Sequence, residues 1–244
     1  ALRISIMQIE GRNPIKEALS QGNCKISKIY ISKGAHDLQQ IIDLAREKGI
    51  RVEFLDRFKL DKISETKHHQ GAIAISEDFH YSSLEDILNK DNDSPLFILL
   101  LDNIEDPHNL GSIIRVAECL GVDGIVIPSK RAAEVNSTVI KVSAGATSYV
   151  KIAMVNNIND VIRKLKDNFV QICCADMGGE SIYKANLKGD IALVIGNEGS
   201  GVKHLTRQLC DKIVAIPQFG KVNSLNASVA CGIICSEIVR QRLN

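Results

Sequence analysis

The chain has 244 residues, 45% of them hydrophobic, and a formal net charge of +1. This length allows one large domain or two small ones, and the apolar fraction is sufficient to fill a core. This net charge is too small to indicate nucleic-acid binding by itself, although it permits a local basic patch. The longest apolar run, residues 96–101, is far shorter than the roughly 18–20 residues of a membrane span.

The seven cysteines form no Cys-x-x-Cys motif, and most lie among Ile, Val, Leu and Ala. An odd number of cysteines in apolar surroundings favours reduced core thiols, and therefore a cytoplasmic protein, over a disulfide framework. No Cys/His spacing is typical of zinc ligands, so we expect no metal site.

Residues 1–78 alternate between helical and extended patterns. The segment at residues 11–14 is predicted to lead into a helix that runs through about Leu19, and further helices are predicted over residues 38–48 and 58–63. Strands are predicted over residues 26–31, 50–55 and 71–76. This alternation predicts a small α/β domain.

Residues 79–95 differ in character from what precedes them. One short helix is predicted over residues 84–88, and residues 89–95 are polar and turn-forming. We interpret this stretch as a linker between a domain of residues 1–78 and a domain of residues 96–244.

Residues 96–244 again alternate between apolar strands and helices. The strands are predicted over residues 96–101, 124–127, 149–154, 169–175, 191–195 and 212–216. Helices fill the intervals, ending with a long helix over about 225–242. Continuous apolar strands between helices predict a parallel sheet covered on both faces, with ligands bound at the carboxyl ends of its strands.

The first polar loop follows the strand at residues 96–101. Pro107 and Gly111 shape a turn, Asn109 is a candidate N-cap of the next helix, and Arg115 lies within an apolar run. On spacing alone, a helix cap followed by a partly exposed arginine explains this pattern as well as a ligand site does.

The second polar loop, residues 196–201, follows the strand at residues 191–195. Gly196 and Gly201 would let a ligand approach the main chain closely. Val202 stands where a P-loop requires lysine, and no Gly-x-Gly-x-x-Gly fingerprint is present, so phosphate binding is not implied. A tight turn is the alternative, but Glu198 among three glycines favours a functional loop.

The third polar loop follows the strand at residues 212–216. Pro217 ends that strand, Gly220 permits a sharp turn, and Ser224 and Asn226 open the last helix. Either polar residue alone is explained as an N-cap. Three such loops at the carboxyl ends of one parallel sheet predict a ligand site.

These loops resemble the three motifs of the SpoU family of RNA ribose 2′-O-methyltransferases, also called the TrmH family. The first motif is matched by Asn109, Gly111 and Arg115, and the second by Gly196, Glu198 and Gly199. The third motif is matched by Ile216, Pro217, Ser224, Leu225, Asn226, Ser228 and Ala230. Gln218 stands where the family often has methionine, and Asn223 where serine or threonine is common.

The resemblance implies an α/β methyltransferase domain of the SPOUT type with a trefoil knot near its C-terminus, and a homodimer with the active site near the dimer interface. Residues 1–78, with Glu10 to Pro14 and His69-Gln70-Gly71, resemble the small ribosomal-protein-like RNA-binding domain of the subgroup that methylates a guanosine ribose in large-subunit ribosomal RNA.

The resemblance also implies roles for single residues. S-adenosyl-L-methionine (SAM) would be bound through the main chain at Gly196, Ile216 and Leu225, with Gly201 and Gln218 beside them. Residues expected to serve catalysis are Arg115, Asn109, Glu198, Ser224 and Asn226.

Three other functions are compatible with parts of the pattern. A transfer-RNA ribose methyltransferase would share the three motifs, but the separate N-terminal domain favours ribosomal RNA. A non-catalytic RNA-binding protein of the same fold would not need the complete polar set. A small-molecule α/β enzyme leaves the N-terminal domain unexplained. His68 and His69 are either exposed loop residues or RNA contacts.

Overall fold

The computed structural model describes residues 6–21, 24–77, 79–90, 92–197, 199–221 and 224–243. The chain divides into two compact units. The first combines Ala1–His80 with Val135–Tyr149, and the second combines Tyr81–Glu134 with Val150–Asn244.

The secondary structure alternates along the described residues. The strands are β1 (Ile6–Glu10), β2 (Ile26–Ser32), β3 (Arg51–Leu55), β4 (Ala72–Glu77), β5 (Phe97–Asp102), β6 (Gly124–Pro128), β7 (Lys151–Val155), β8 (Gln171–Ser181), β9 (Ile191–Gly196) and β10 (Lys212–Ala215). The helices are α1 (Arg12–Gln21), α2 (Gln39–Glu47), α3 (Arg57–Ile63), α4 (Leu84–Leu88), α5 (Pro107–Cys119), α6 (Ser137–Val142), α7 (Ile158–Asp167), α8 (His204–Leu209) and α9 (Ala227–Arg242), with a 3₁₀ turn at Ala146–Ser148. None of these helices combines the length and the apolar character needed to cross a membrane.

The first unit is a four-stranded mixed sheet in the order β1-β4-β2-β3. β4 pairs antiparallel with both β1 and β2, and β2 pairs parallel with β3. Its core is aliphatic, with side chains from the sheet and the helices fully or nearly fully buried: Ile9, Ile15, Leu19, Ile29, Ile31, Ile41, Leu60 and Ile73. The α/β character predicted for residues 1–78 is therefore present.

Two parts of this unit were not predicted from the sequence. β1 is an edge strand of five residues that β4 holds in register, so its formation depends on a partner rather than on a local pattern. The segment Val135–Tyr149 lies within the predicted second domain but packs with the first unit. There α6 packs against β1, and the Tyr149 hydroxyl donates to Glu17.

Most of the stretch predicted as a linker is integral to the second unit. The main-chain N–H of Ser82 donates to Ile152, and Ser83 caps α4 through a capping box with Asp86. Ile87 is fully buried against Gly124, where a Cβ atom would lie 2.6 Å from its side chain. The short helix at residues 84–88 was predicted correctly, but its burial was not.

The second unit is a six-stranded, fully parallel sheet in the order β10-β8-β9-β5-β6-β7. All six residues of β5 and all five of β6 are buried, as expected for strands covered by helices on both faces. The prediction of a parallel-sheet α/β domain is confirmed. The trefoil knot stays a prediction from the resemblance.

The cysteines are all free thiols, and five of the seven are buried. Burial raises the pKa of Cys24 to about 11, which keeps this thiol protonated and unreactive at neutral pH. Cys119, on α5, is exposed and so departs from the expected core position.

Candidate active site

The first predicted loop is mostly helical in the structure. Asp106, not Asn109, is the N-cap of α5, because its carboxylate accepts the main-chain N–H of His108 at 3.0 Å. Pro107 fills the first helical position, where a missing N–H costs nothing. Asn109 therefore lies in the first helical turn, where its side chain is buried and available for a different bond.

That bond joins two motifs that lie 117 residues apart in sequence. Asn226 Nδ2 donates to Asn109 Oδ1 at 2.9 Å. Asn226 is also the N-cap of α9, and its Oδ1 accepts the main-chain N–H groups of Ser228 and Val229 at 2.9 and 3.3 Å. The cap fixes the orientation of the Asn226 amide, and the amide fixes α9 against α5.

The second loop is held closed by its own main chain. Asn197 and Gly201 exchange two main-chain hydrogen bonds, of 3.2 and 2.8 Å. A Cβ atom on Gly196 would lie 2.3 Å from the carbonyl carbon of Gly201, so only glycine fits there. Asn197 Oδ1 also accepts the N–H of Gly199 at 2.9 Å. Glu198 lies outside the described residues.

The first and second loops are tied together where β5 and β9 end side by side. Asn197 Nδ2 donates to the main-chain oxygen of Asn103 at 3.1 Å. The buried carboxylate of Asp102 accepts the main-chain N–H of Lys203 at 2.9 Å and pairs with its ammonium group at 3.2 Å. The sequence analysis did not identify Asn197 or Asp102 as organising residues.

A pocket of about 590 Å³ opens at the carboxyl ends of β8, β9 and β10. This volume falls in the range of roughly 300–1,000 Å³ typical of small-molecule sites. Predicted site residues that line it are Gly196, Gly201, Ile216, Gln218, Leu225 and Ser224. The structure thus brings together the five predicted cofactor residues and one predicted catalytic residue.

One further part of the pocket wall comes from a bulge in β8 that was not predicted from the sequence. Cys174 pairs with Ile213, but the next residue of β10 pairs with Glu180, so residues 175–179 leave the ladder. Asp176, in this bulge, lines the pocket and accepts from Arg207 Nε at 2.7 Å. The signal in the sequence was the Gly178-Gly179 pair directly after the apolar run of residues 169–175, a pattern that favours a bulge.

Arg115 is not part of the pocket lining. It is an exposed residue of α5, six positions after Asn109, and six residues at about 100° each place the two side chains roughly 120° apart around the helix. Asn109 and Arg115 therefore serve different surfaces of α5 within this chain.

The pocket lining suits a cofactor that is largely apolar with a few polar edges. Ile195, Ile216 and Leu225 offer flat aliphatic contact, and the glycines leave main-chain groups accessible. Asp176 and Gln218 add polar side chains at its wall. Among the residues that the structure describes, no group of three or more His, Cys, Asp or Glu residues is placed to hold a metal ion.

A parallel α/β domain with such a pocket at its strand carboxyl ends is typical of enzymes that bind a small cofactor. Two family models match the chain: the SpoU rRNA methylase family over residues 96–236, and the substrate-binding region of RNA 2′-O ribose methyltransferases over residues 8–82.

Individual relatives agree with this assignment. The chain is 39% identical to the 23S rRNA (guanosine-2′-O-)-methyltransferase RlmB of Neisseria meningitidis serogroup B, over 96% of this chain and 95% of that protein. It is 37% identical to RlmB of Haemophilus influenzae, over 97% and 98%. The SpoU methyltransferase AviRb of Streptomyces viridochromogenes, solved with AdoMet, has a TM-score of 0.83 and 25% identity, over 99% of this chain and 92% of that chain.

The chain belongs to the SpoU rRNA methylase family. The predicted family and the predicted class, an RNA 2′-O-methyltransferase that uses SAM, are confirmed. The individual roles of the ten predicted site residues stay predictions.

Proposed function

We propose that this protein transfers the methyl group of SAM to the ribose 2′-hydroxyl of a guanosine in bacterial large-subunit ribosomal RNA, in the cytoplasm. The observation that carries the proposal is the pocket in which Gly196 of the second loop meets Ile216 and Leu225 of the third loop at strand carboxyl ends. The near full-length similarity to enzymes named for a 23S rRNA guanosine supports the choice of RNA and nucleotide.

The pocket residues would hold the cofactor, which supplies a methyl group on a positively charged sulfur. Ile216 and Leu225 would flank the adenine, and main-chain groups of Gly196 and its neighbours would meet the polar edges of the ring. Gly201 and Gln218 would complete the wall. Fixing the donor in a rigid pocket lowers the entropic cost of bringing the ribose into line.

Arg115 would act on the ribose side. A guanidinium group has five hydrogen-bond donors and no acceptor, so it is unsuited to remove the proton of the 2′-hydroxyl. It is suited to bind an RNA phosphate through two parallel hydrogen bonds and to stabilise negative charge that develops on the 2′ oxygen. Asn109, Ser224 and Asn226, with Glu198, would position the ribose and this arginine.

We further propose that the active form is a homodimer. Arg115 is exposed and does not line the pocket of its own chain. A second copy placed along α5 and α9 would bring an arginine of one protomer to the pocket of its partner, and each site would then be complete only in the dimer.

The activity is tested by incubating the protein with SAM labelled in its methyl group and, separately, with 23S rRNA, 16S rRNA and tRNA, followed by digestion to nucleosides. We expect label in 2′-O-methylguanosine from 23S rRNA only. Label in tRNA would support the tRNA methyltransferase instead. If SAM binds but no RNA is labelled, the protein is a non-catalytic RNA-binding member of the fold.

The role of Arg115 is tested with R115K and with mixed dimers. R115K keeps the charge but loses the planar fork, and we expect turnover to fall about 10²-fold with SAM affinity unchanged. If R115K kept the turnover of the wild type, the hypothesis that Arg115 acts through two parallel hydrogen bonds would be refuted. Dimers that pair R115A with G196A should regain one working site if the arginine acts across the interface, and none if it acts within its own chain.

A further inference from the structure

Unit one carries an exposed aromatic side chain beneath a cation, on α3. Phe58 is 68% exposed, and the ammonium group of Lys62 lies 4.4 Å from its ring centroid. A single exposed aromatic residue is ordinary on a protein surface. The residues around Phe58 are what distinguish it, and they include further cations on α3 and on the loop of residues 64–70.

The α3 surface consists of five exposed residues: Phe58, Lys59, Lys62, Lys67 and His68. The surface is continuous, because Lys67 Nζ donates to the main-chain oxygen of Asp61 at 2.8 Å, in the last turn of α3. Four of its five members are basic residues.

The carboxylates of the same region are each engaged by another group. Asp56 pairs with Lys33 at 3.2 Å, and Asp61 accepts from His69 Nε2 at 2.8 Å. Glu65 accepts from the hydroxyl of Ser137 at 3.0 Å. The hydrogen bond from His69 is also the main cause of the lowered pKa of Asp61. Within the described residues, none of these three carboxylates forms an ion pair with Lys59, Lys62 or Lys67, although the charge of Lys67 also contributes to the lowered pKa of Asp61.

His69 is a structural residue and is not part of this surface. It is buried, and its Nδ1 accepts the main-chain N–H of Gly71 at 2.9 Å, which leaves the proton on Nε2 for Asp61. Of the two histidines that the sequence analysis left open, only His68 remains available for RNA.

The loop of residues 64–70 is held in place without RNA. The buried Glu10 carboxylate accepts the hydroxyls of Ser64 and Thr66 and the main-chain N–H groups of Glu65 and Thr66. Lys141 of α6 donates to the Thr66 hydroxyl at 2.7 Å from the other side. A loop that is already ordered loses less entropy on binding.

We propose that the α3 surface binds an unpaired segment of the substrate RNA, with one base stacked on Phe58 and phosphates held by the surrounding cations. An aromatic face interleaved with basic side chains is how proteins bind single-stranded nucleic acid, and a base in a duplex is already stacked and cannot reach such a face. This inference rests on the proposed function, since it assumes that the substrate is RNA.

The surface is tested by measuring the affinity of the full-length protein for a fluorescent single-stranded RNA of twelve nucleotides and for the same strand in a duplex. We expect F58A to weaken single-strand binding roughly tenfold and F58W to restore it, because a stacked base contributes most of that loss. Duplex binding should change less than twofold. Phe54 is the matched control, since it is 49% exposed in the same unit and no cation lies over its ring among the described residues.

The phosphate contacts are tested through salt. K62Q should make the plot of log affinity against log salt shallower by about 0.7, the value for one phosphate contact on a single strand. Unfolding temperatures of all variants, and their SAM affinities, should match the wild type, because none of the substitutions is buried or lines the pocket.

Each result decides one question. Binding of F58A within twofold of wild type, an equal loss for F54A, or an equal loss for duplex would overturn the α3 surface. A wild-type protein that binds single strands through Phe58 but methylates no RNA would keep the surface and refute the proposed function. If the wild type methylates 23S rRNA and F58A binds single-stranded RNA as tightly as the wild type does, the proposed function would stand and the α3 surface would be refuted.

Discussion

Residues 196–197 and 199–201 in the second unit, and residues 64–70 in the first unit, belong to loops held in a fixed conformation, but by different parts of the chain. The first is closed by its own main chain, with Gly196 packed against Gly201. The second is closed by one side chain, the buried carboxylate of Glu10, from a neighbouring strand. An added carbon atom should therefore damage the pocket loop, and a removed side chain should damage the loop beside α3.

The largest expected effect is on the pocket, from G196A. The added Cβ would lie 2.3 Å from a carbonyl carbon of the main chain, so the loop must open. Overpacking typically costs about 1–3 kcal/mol, and a main-chain clash lies at or above the upper end, so we expect SAM affinity to fall at least about 100-fold. Isothermal titration calorimetry measures it.

G199A is the matched control for this prediction. A Cβ atom there would meet only Asn197 Oδ1, at 3.6 Å, which is ordinary contact. Gly199 also lines the pocket, so the comparison is made on stability: the free energy of unfolding of G199A should stay within about 0.5 kcal/mol of wild type, whereas that of G196A should fall by about 1–3 kcal/mol. Similar losses in both variants would mean that the loop tolerates no side chain anywhere, and that the clash at Gly196 is not the cause.

The second prediction concerns the opposite kind of change, in E10A. Removing the carboxylate leaves the Ser64 and Thr66 hydroxyls and two main-chain N–H groups without their acceptor in a buried place. Hydrogen bonds to a charged group contribute about 1.5–3 kcal/mol, so we expect the free energy of unfolding to fall by about 3 kcal/mol. Denaturant unfolding measures it, and a loss below about 1 kcal/mol would contradict it.

The same carboxylate gives this stabilisation a pH dependence. Burial alone would raise the pKa of Glu10, but hydrogen bonds from Thr66, Ser64 and Glu65 outweigh it and lower the pKa. The contribution is therefore present in full above the ordinary value of 4.5 and is lost as the pH falls through the lowered value. The stability difference between wild type and E10Q should be constant above about pH 5 and shrink below it.

The position of the pocket was easier to predict from the sequence than the contacts that hold the loop beside α3. Buried strands such as β5 are continuous apolar runs, and the carboxyl ends of parallel strands meet at one edge, so spacing alone brought Gly196 and Ile216 together. Glu10 was noted only as part of the resemblance of residues 1–78, and its role as an acceptor was not predicted, because its four donors come from residues 64–66, more than 50 positions away.

The same limit explains part of what was missed in the second unit. The bulge of β8 exists because β10 pairs on both sides of it, and the Gly178-Gly179 pair alone does not specify that partner strand. The direction of Arg115 depends on where α5 begins, and Asp106 rather than Asn109 sets that start. The bulge depends on a contact distant in sequence, whereas the start of α5 is a local cap between Asp106 and His108 that the sequence prediction had assigned to Asn109.

The third prediction tests whether the Asn226 amide does more than cap a helix. Replacing an N-cap asparagine with alanine typically costs about 1 kcal/mol. N226A should cost about 2 kcal/mol, because the bond to Asn109 is lost as well, and should lower turnover. N157A is the control, since Asn157 caps α7 by accepting from Asn159 at 3.0 Å and its amide stays on its own helix. Equal stability losses for the two variants would reduce Asn226 to a cap.

The smallest expected effect has the opposite sign and lies in the turn between α7 and β8. Phe169 is 94% exposed and has a φ of +61°, in the left-handed region that favours glycine. That conformation costs a residue with a side chain about 1–2 kcal/mol, whereas glycine adds about 0.4–1 kcal/mol of disorder to the unfolded chain. F169G should therefore stabilise the protein by about 0.5–1 kcal/mol, or about 1–4 °C in unfolding temperature.

F169A removes the ring but keeps the backbone strain, so it should leave the stability near wild type. Equal gains in both variants would show that the exposed ring, and not the backbone conformation, is the unfavourable element at position 169. The need for glycine at Gly196 would then rest only on the space that a Cβ atom would occupy, and not on a general preference for glycine in the loops of this fold.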